Sequence, residues 1–235
     1  MRIVIAHLYY DICNLYGENG NVMLLQQQLG SVGLDVLVKK LSIQDELNFD
    51  EYDFIYIGSG TNEALALAQL HINKYKDEFK AYIDSNKFAL ITGSATALLA
   101  ENTSGICSYT LDTTEQRVVC ECLFTDKDNN YIIGFQNRDT SMTNIDANLF
   151  TVKKGIGSSA DLKNEGFKHN NLFLSYVIGP ILVRNPYFAK SIIKSLVEFK
   201  QAGIDSEEVI SLDFDFNLEI SAYNKALSEK YDIIL

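Results

Sequence analysis

Three short glycine turns follow predicted strands, and their composition is typical of sites that stabilise developing negative charge. The turns are Gly58-Ser59-Gly60, Gly93-Ser94 and Gly179-Pro180. Backbone N–H groups exposed in such turns, or at the start of a helix, can hold an oxyanion. A single glycine turn is usually a simple turn. Ligands of parallel sheets bind beyond the carboxyl ends of the strands, so three such turns together point to a site.

The turn in "ALITGSATALLA" has the form of a nucleophile elbow, in which a strand turns sharply into a helix. Such an elbow normally presents Cys or Ser, yet Gly93 stands at the turn here. Strain at an elbow residue costs a side chain other than glycine about 1–3 kcal/mol. We therefore expect positive φ at Gly93, and we hypothesise that a site released from catalysis has relaxed to the residue its backbone prefers.

The cysteines provide no evident replacement nucleophile. Their spacing fits no zinc pattern, and the Cys-Glu-Cys pair should point to one face of a strand. We expect them to be reduced, small core residues. They are Cys13, Cys107, Cys120 and Cys122.

A nucleophile would also need a base, and the histidines are three in number. His7 ends the first predicted strand, where it could face the site or serve a structural role. We expect His71 on an exposed helix and His169 in a polar stretch. Ser94 is expected to satisfy backbone N–H groups at the start of its helix, and Thr92 suits the end of a strand.

Strand and helix patterns alternate in the first part of the chain. Apolar runs predict strands at 2–8, 34–42, 53–60 and 88–92, with helices at 21–33 and within 61–86. A hairpin is predicted over 116–136, a strand ending in a Gly-Pro turn over 173–183, and helices over 186–203 and 217–231. This order predicts a mostly parallel sheet with helices on both faces, in one domain spanning residues 1–235.

Charge and hydropathy exclude several classes of function. The 235-residue chain carries a net charge of −11, which disfavours binding to nucleic acid. It has no run of about 18 apolar residues, so no membrane insertion is expected. The apolar part of the N-terminus is too short for a signal peptide. We therefore expect a cytoplasmic protein.

Several longer stretches carry a family resemblance. They are "HLYYDICNLYGENGNVMLLQQ", "DFIYIGSGTNEALALA", "GFQN" and "SYVIGPILVRN". Together they resemble the GatD family, which are glutaminase subunits of lipid II isoglutaminyl synthase and CobB/CobQ-like class I glutamine amidotransferases. The resemblance runs in order through nearly the whole chain, and "NLYG…GN" and "GPIL" are its most specific parts.

The resemblance implies a flavodoxin-like three-layer α/β sandwich and a function in peptidoglycan synthesis. In this family an elbow cysteine attacks glutamine, a late histidine acts as base, and ammonia is released. The ammonia passes to MurT, a Mur-ligase-like subunit that uses ATP to amidate the D-glutamate of the peptidoglycan stem. A MurT-like partner is thus expected. No cofactor is expected in this chain, since ATP and Mg²⁺ would belong to the partner.

Carried over to this sequence, the family pattern lacks both catalytic side chains. The elbow cysteine corresponds to Gly93 and the histidine to Ile178. Glycine cannot attack a substrate, and isoleucine cannot accept a proton. Other family positions define a vestigial pocket for an oxyanion or a glutamine-like molecule. They are Gly58, Ser59, Gly60, Gly93, Ser94, Ala97 at the place of a helix glutamine, Arg117 at the place of a glutamine-contacting arginine, and Asn137.

Three functions fit these residues. The first is a catalytically degenerate amidotransferase homologue that serves a MurT-like synthetase as a structural or regulatory subunit. The second is an active, divergent amidotransferase or amidohydrolase with a relocated nucleophile, for which Ser94 and Cys107 are the candidates. The third is a sensor that binds a small ligand in the vacant pocket. Classical glutaminase activity is not expected.

Overall fold

Ten strands form two sheets in a computed structural model that describes residues 1–160, 163–203 and 212–234. The strands are β1 (Arg2–Leu8), β2 (Asp35–Leu41), β3 (Phe54–Ile57), β4 (Phe88–Thr92), β5 (Thr110–Thr125), β6 (Tyr131–Thr143), β7 (Phe150–Lys154), β8 (Asn164–Glu165), β9 (Phe167–His169) and β10 (Leu172–Ser175). The helices are α1 (Asn19–Ser31), α2 (Asn62–Ile72), α3 (Lys76–Asp84), α4 (Ile181–Arg184), α5 (Pro186–Ala202) and α6 (Asn217–Tyr231).

The first sheet has the order β2-β1-β3-β4-β10-β9. All neighbouring pairs are parallel except β10 with β9. Ile57 pairs with Ile91, and Thr92 pairs with Ser175, so β3, β4 and β10 end close together along one edge. The loops after these strands therefore emerge side by side.

Helices cover both faces of this sheet because its strands are apolar on both sides. In β3, Ile55 and Ile57 pack into one buried cluster with residues of α2 and α3. Phe54 and Tyr56 pack into the opposite cluster with residues of α1 and α5. This arrangement confirms the predicted flavodoxin-like sandwich with a mostly parallel sheet.

The second sheet is antiparallel and has the order β6-β5-β7-β8. The predicted hairpin is present as β5 and β6, although both strands are longer than expected. The sequence analysis did not predict β7 and β8. Helix α6 packs on this sheet through Tyr223 and Leu227, which are buried with Leu123 and Ile133.

The two sheets meet at the segment that follows β10. Ile178 donates its backbone N–H to the carbonyl oxygen of Phe135 in β6 at 3.0 Å. A Cβ on the neighbouring Gly134 would overlap Val177 and lie 3.3 Å from the carbonyl oxygen of Ile178. The Val177 side chain therefore packs into the space that a side chain at residue 134 would need, and glycine fits this junction.

Two further predictions concern the whole chain. A single domain over 1–235 stays a prediction, and it includes residues 161–162, 204–211 and 235, which lie outside the described residues. Among the helices described here, none has the length and apolar character needed to span a bilayer.

The junction yields a stability prediction. Gly134→Ala should lower the free energy of unfolding by about 1–3 kcal/mol, because the added methyl group overpacks the contact with Val177. The matched control is Gly30→Ala in α1, where nothing lies within 4 Å of the new Cβ. This control should raise the free energy of unfolding by about 0.5–1 kcal/mol. Denaturant titrations measure both, and equal effects of the two changes would contradict the assigned packing.

Candidate functional site

The three glycine turns predicted to form a site come together at the ends of β3, β4 and β10. A Cβ built on Gly93 would overlap Ser59 Oγ of the first turn and lie 2.6 Å from Cγ2 of Ile178, the residue just before the third turn. Ser94 Oγ is hydrogen-bonded to the backbone of Gly60. The first two turns are therefore in direct contact, and the residue before the third turn lies beside Gly93.

The turn after β4 retains the backbone of an elbow. Gly93 has φ of +58°, as expected, and it follows Thr92 in extended conformation. A 3₁₀-helix, Gly93–Leu99, then begins directly, and Thr96 Oγ1 donates to the carbonyl oxygen of Gly93 at 2.9 Å. The left-handed conformation favours glycine, because any side chain here would be strained.

The space above the elbow is filled by two neighbouring side chains. Ser59 is 1% exposed and Ile178 is fully buried. Ser59 Oγ has no hydrogen-bond partner among the described residues. A nucleophile attached to residue 93 would thus meet a hydroxyl on one side and a methyl group on the other. The family resemblance implies Cys at position 93 and His at position 178. These positions are adjacent in space, and Gly93 and Ile178 supply neither a nucleophile nor a base.

Ser94 is held by the first glycine turn. Its hydroxyl donates to the carbonyl oxygen of Gly60 at 2.9 Å and accepts from the N–H of Gly60 at 3.2 Å. The serine therefore satisfies a backbone N–H group, as expected, but in the neighbouring loop and not in its own helix. An N–H group that could have bound an oxyanion is occupied by this hydroxyl.

A cleft of about 320 Å³ opens beside the elbow and gathers several of the predicted pocket residues. Gly60, Ser94, Arg117 and Asn137 all line it. Arg117 Nε donates to Asn137 Oδ1 at 2.5 Å, and Asn137 Nδ2 donates to Tyr16 Oη at 2.8 Å. The cleft therefore has a polar wall that is already ordered by internal hydrogen bonds.

Four predicted pocket positions do not line this cleft, and two of them, Ser59 and Gly93, belong to the packed elbow described above. Ala97 is half-buried on the 3₁₀-helix, and its carbonyl oxygen accepts from Thr103 Oγ1 at 2.6 Å. Gly58 lies deeper, where an added Cβ would be 2.7 Å from the carbonyl oxygen of Cys13 and 3.1 Å from Glu18 Cβ. Neither position is among those that form the cleft.

The buried carboxylate of Glu18 lies below the elbow and was not predicted from the sequence. Its Oε1 accepts from the N–H of Gly179 at 2.9 Å, and its Oε2 accepts from Tyr56 Oη at 2.9 Å and from Thr92 Oγ1. Burial raises the pKa of Glu18, while these hydrogen bonds act in the opposite direction. An acidic residue inside "NLYGENGN" was the available signal, but its burial depends on contacts distant in sequence.

Asn21 extends this network into α1. Its Nδ2 donates to Tyr56 Oη at 2.9 Å, and its Oδ1 accepts from the N–H of Leu182 at 2.8 Å. Asn21 and Glu18 are both fully buried. The start of α1 is thereby tied to β3 and to the segment after β10.

The cysteines are free thiols, and three of them are buried. Burial raises the pKa of Cys13 and of Cys107 to about 12, and it also raises the pKa of Cys122. A thiol is nucleophilic as thiolate, which these environments disfavour. The expectation of inert core residues therefore fits the buried three, whereas Cys120 is half-buried.

The prediction that His71 is exposed is wrong. His71 lies on α2 as expected, but it is 5% exposed, and its Nδ1 is 3.1 Å from Tyr9 Oη. The helix turns this position towards the core, where the ring packs against two tyrosines, Tyr9 and Tyr75. His169 is exposed in β9, and its Nε2 lies 4.0 Å from Asp84 Oδ1.

His7 is buried at the end of β1. It is 1% exposed, its ring lies 5.3 Å from that of Tyr56, and both ring nitrogens lack a hydrogen-bond partner in the described part of the chain. Burial, followed by the nearby charge of Lys40, lowers the pKa of His7 to about 4. The ring is therefore neutral at pH 7 and is built into the core.

No metal centre is formed by the described residues, since no group of three or more His, Cys, Asp or Glu side chains converges there. The expectation that the chain itself needs no cofactor stays a prediction.

Solved structures with the same architecture identify the class of fold. PurLQS from Thermotoga maritima matches with a TM-score of 0.59 and 13% identity, over 85% of this chain and all of that chain. A glutamine amidotransferase from Thermotoga maritima has a TM-score of 0.51 and 10% identity, over 95% of this chain and 91% of that one. The glutaminase domain of Trypanosoma brucei CTPS, with bound acivicin, has a TM-score of 0.50 and 9% identity, over 91% of this chain and 98% of that one. The chain has the class I glutamine amidotransferase fold.

Similarity in sequence points to a smaller group of proteins within this fold class. The chain is 26% identical to the GatD subunit of the glutamine-hydrolysing lipid II isoglutaminyl synthase of Streptococcus pneumoniae, over 97% of this chain and 88% of the relative. It is also 26% identical to GatD of Staphylococcus aureus, over 88% of this chain and 90% of the relative. No protein-family model matches the chain. The chain is thus similar to GatD over almost its full length.

The buried carboxylate gives a prediction about the integrity of the site. Glu18→Ala should lower the free energy of unfolding by about 3 kcal/mol, because it leaves the N–H of Gly179 and two hydroxyl groups unpaired. Glu18→Gln keeps an acceptor in place and should cost about 1 kcal/mol. Denaturant titration at neutral pH separates the two. If Gln cost as much as Ala, these hydrogen bonds would not be the source of the stability.

The buried histidine predicts a dependence of stability on pH. Below about pH 6.5 the unfolded chain protonates His7, whereas the folded chain holds it neutral until about pH 4. The free energy of unfolding should therefore fall by up to about 3 kcal/mol as the pH falls through this window. His7→Gln should remove this loss.

The control for this experiment is His169→Gln, which changes an exposed histidine. Burial raises the pKa of two carboxyl groups, Glu18 and Glu165, so these groups favour the folded state at low pH. The difference between each variant and the parent chain cancels their contribution. If the pH profile of His7→Gln ran parallel to that of the parent chain, the assignment would be wrong.

Proposed function

We propose that this chain is a catalytically degenerate GatD-like subunit of a MurT-like, Mur-ligase-type amidating synthetase that modifies peptidoglycan precursors. The two relatives named above are subunits of lipid II isoglutaminyl synthase, which supports this context. The observation that carries the degenerate role is the closed elbow, where Ser59 and Ile178 fill the space beside Gly93. In this proposal the chain is a pseudoenzyme that has the amidotransferase fold but does not hydrolyse glutamine.

Chemical reasoning supports the loss of glutaminase activity. Hydrolysis of glutamine through a covalent intermediate needs a nucleophile at the elbow and a base beside it. Glycine offers no attacking atom, and the hydrocarbon side chain of isoleucine cannot take a proton. Glu18 lies nearby, but its oxygens already accept hydrogen bonds from Gly179, Tyr56 and Thr92.

The proposed role is structural or regulatory. A synthetase whose amidotransferase subunit is inactive could draw on free ammonia, and this chain would then stabilise or regulate the ligase. ATP and Mg²⁺ would belong to that ligase, and the complex would work in the cytoplasm. A glutamine-like molecule could still occupy the cleft at Arg117 and Asn137 and serve as a signal.

A relocated nucleophile is the alternative, and its two candidates are poorly placed. Ser94 uses its hydroxyl to bridge the N–H and C=O groups of Gly60. The Cys107 thiol has a pKa of about 12 because it is buried. A nucleophile is activated by an adjacent base, and no hydrogen bond joins either side chain to a histidine in the described part of the chain, although His169 lines the same cavity as Cys107.

An ammonia-release assay tests the proposal. The purified chain, alone and with a co-expressed Mur-ligase-like partner, should release no ammonia from glutamine above the background. Amidation by the complex should proceed with ammonium chloride and fail with glutamine. Glutamine-dependent ammonia release that Ser94→Ala or Cys107→Ala abolishes would establish the alternative. Failure to co-purify with any such ligase would contradict the subunit role.

A substitution series tests whether the elbow is closed. Gly93→Cys should lower the free energy of unfolding by about 2–4 kcal/mol, through strain at positive φ and overlap with Ser59 Oγ. Adding Ser59→Gly and Ile178→His should recover about half of that loss by removing the overlap. Denaturant titration and the rate of thiol alkylation report the outcome.

Ser59→Gly alone is the matched control for this series. It removes the hydroxyl without adding a side chain at the elbow. If Gly93→Cys folded as stably as the parent chain and its thiol reacted freely, the space beside residue 93 would be open, contrary to the packing described.

A further inference from the structure

A second cavity lies between α6, α4 and β6. Its volume is about 240 Å³, and its walls are mainly apolar. Its apolar lining includes Ile133 and Gly134 of β6, Val183 of α4, and Ala222 and Ala226 of α6. A cavity of this size and composition can hold a small branched or aromatic side chain.

Most polar groups around this cavity are already paired. Tyr223 Oη donates to the carbonyl oxygen of Tyr131 at 2.8 Å, and Tyr231 Oη donates to that of Cys122 at 3.3 Å. Lys230 Nζ lies 2.7 Å from Glu121 Oε1. The two tyrosines therefore present their rings to the cavity as apolar surface.

Two charged groups of opposite sign remain. Arg184, at the end of α4, and Glu219, in the first turn of α6, both line the cavity. Within the described ranges, neither side chain has a hydrogen bond or an ion pair, and the two are not paired with each other. Arg184 is exposed, and its charge contributes, after Lys230 and Lys154, to the lowered pKa of Glu121, whereas Glu219 is half-buried. One mainly apolar cavity thus carries a cation and an anion that form no ion pair with another described residue.

From this arrangement we propose that the cavity binds a free α-amino acid with an apolar side chain. Arg184 pairs with the carboxylate, Glu219 pairs with the ammonium group, and the side chain enters between α6 and β6. A guanidinium group suits a carboxylate because it can donate two parallel hydrogen bonds. The site is separate from the cleft beside the elbow, because the two share no lining residue.

The combination of groups selects against other ligands. A fatty acid would leave Glu219 beside an apolar chain without a partner, and an alkylamine would leave Arg184 unpaired. A charged amino-acid side chain would lose its hydration against alanine and tyrosine. A zwitterion with an apolar side chain satisfies both charges and the walls.

Calorimetric titration with L-leucine and L-phenylalanine tests this site, with two analogues that each lack one charge. These analogues are 4-methylpentanoate, without the ammonium group, and 3-methylbutylamine, without the carboxylate. At least one of the amino acids should bind at millimolar concentration, and each analogue should bind about tenfold more weakly or worse. Equal binding of either analogue, or no binding of both amino acids, would overturn the proposal.

Three substitutions test whether the amino acid binds in this cavity. Arg184→Gln and Glu219→Gln should each weaken binding about tenfold, equivalent to about 1.4 kcal/mol. Ala222→Phe should abolish it by filling the cavity from an exposed position of α6. Glu229→Gln is the matched control, because it neutralises an exposed charge of the same helix that does not line the cavity. Binding that survives all three changes would place the ligand elsewhere and overturn the assignment.

Discussion

One buried carboxylate connects the parts of the molecule that an amidotransferase site requires. Glu18, just before α1, accepts hydrogen bonds from the end of β3 at Tyr56, from the end of β4 at Thr92, and from Gly179 after β10. These segments are distant in sequence and adjacent in the sheet. Burying a carboxyl group is costly unless its oxygens are hydrogen-bonded, so the four segments must be assembled together. The elbow is therefore held from below by an interaction that does not involve a side chain at residue 93 or 178.

At the elbow, the backbone conformation is suited to presenting a nucleophile, whereas the surrounding side chains leave no room for one. Gly93 keeps the left-handed conformation in which a nucleophile would be presented, but Ser59 Oγ and Ile178 Cγ2 occupy the adjoining space. A void there would have cost stability, since an empty space forfeits contacts on every side. Filling it stabilises the core and blocks chemistry at the same time. The same side-chain packing therefore stabilises the core and accounts for the proposed loss of activity.

The sequence predicted the parts of the fold that depend on local pattern. Strand β4 and helix α6 have the bounds expected from "FALIT" and from the helix over 217–231. The turn residues Gly60 and Ser94 were also found, because glycine and serine after apolar strands are a local signal. Short, polar strands such as β7 and β8 carry little periodicity and were missed. The burial of Glu18 and His71 was missed because it is decided by partners far along the chain.

The second sheet fixes the segment after β10 independently of the chemistry of residue 178. Ile178 donates to Phe135 in β6, and Asn185 bonds both the N–H and the carbonyl oxygen of Ile133 in the same strand. Arg138, further along β6, stacks 4.4 Å from the centre of the Tyr176 ring. These contacts fix the segment after β10 whether residue 178 is a base or a hydrocarbon. Because this packing does not depend on a nucleophile at residue 93 or a base at residue 178, the proposed loss of both side chains is compatible with an intact fold.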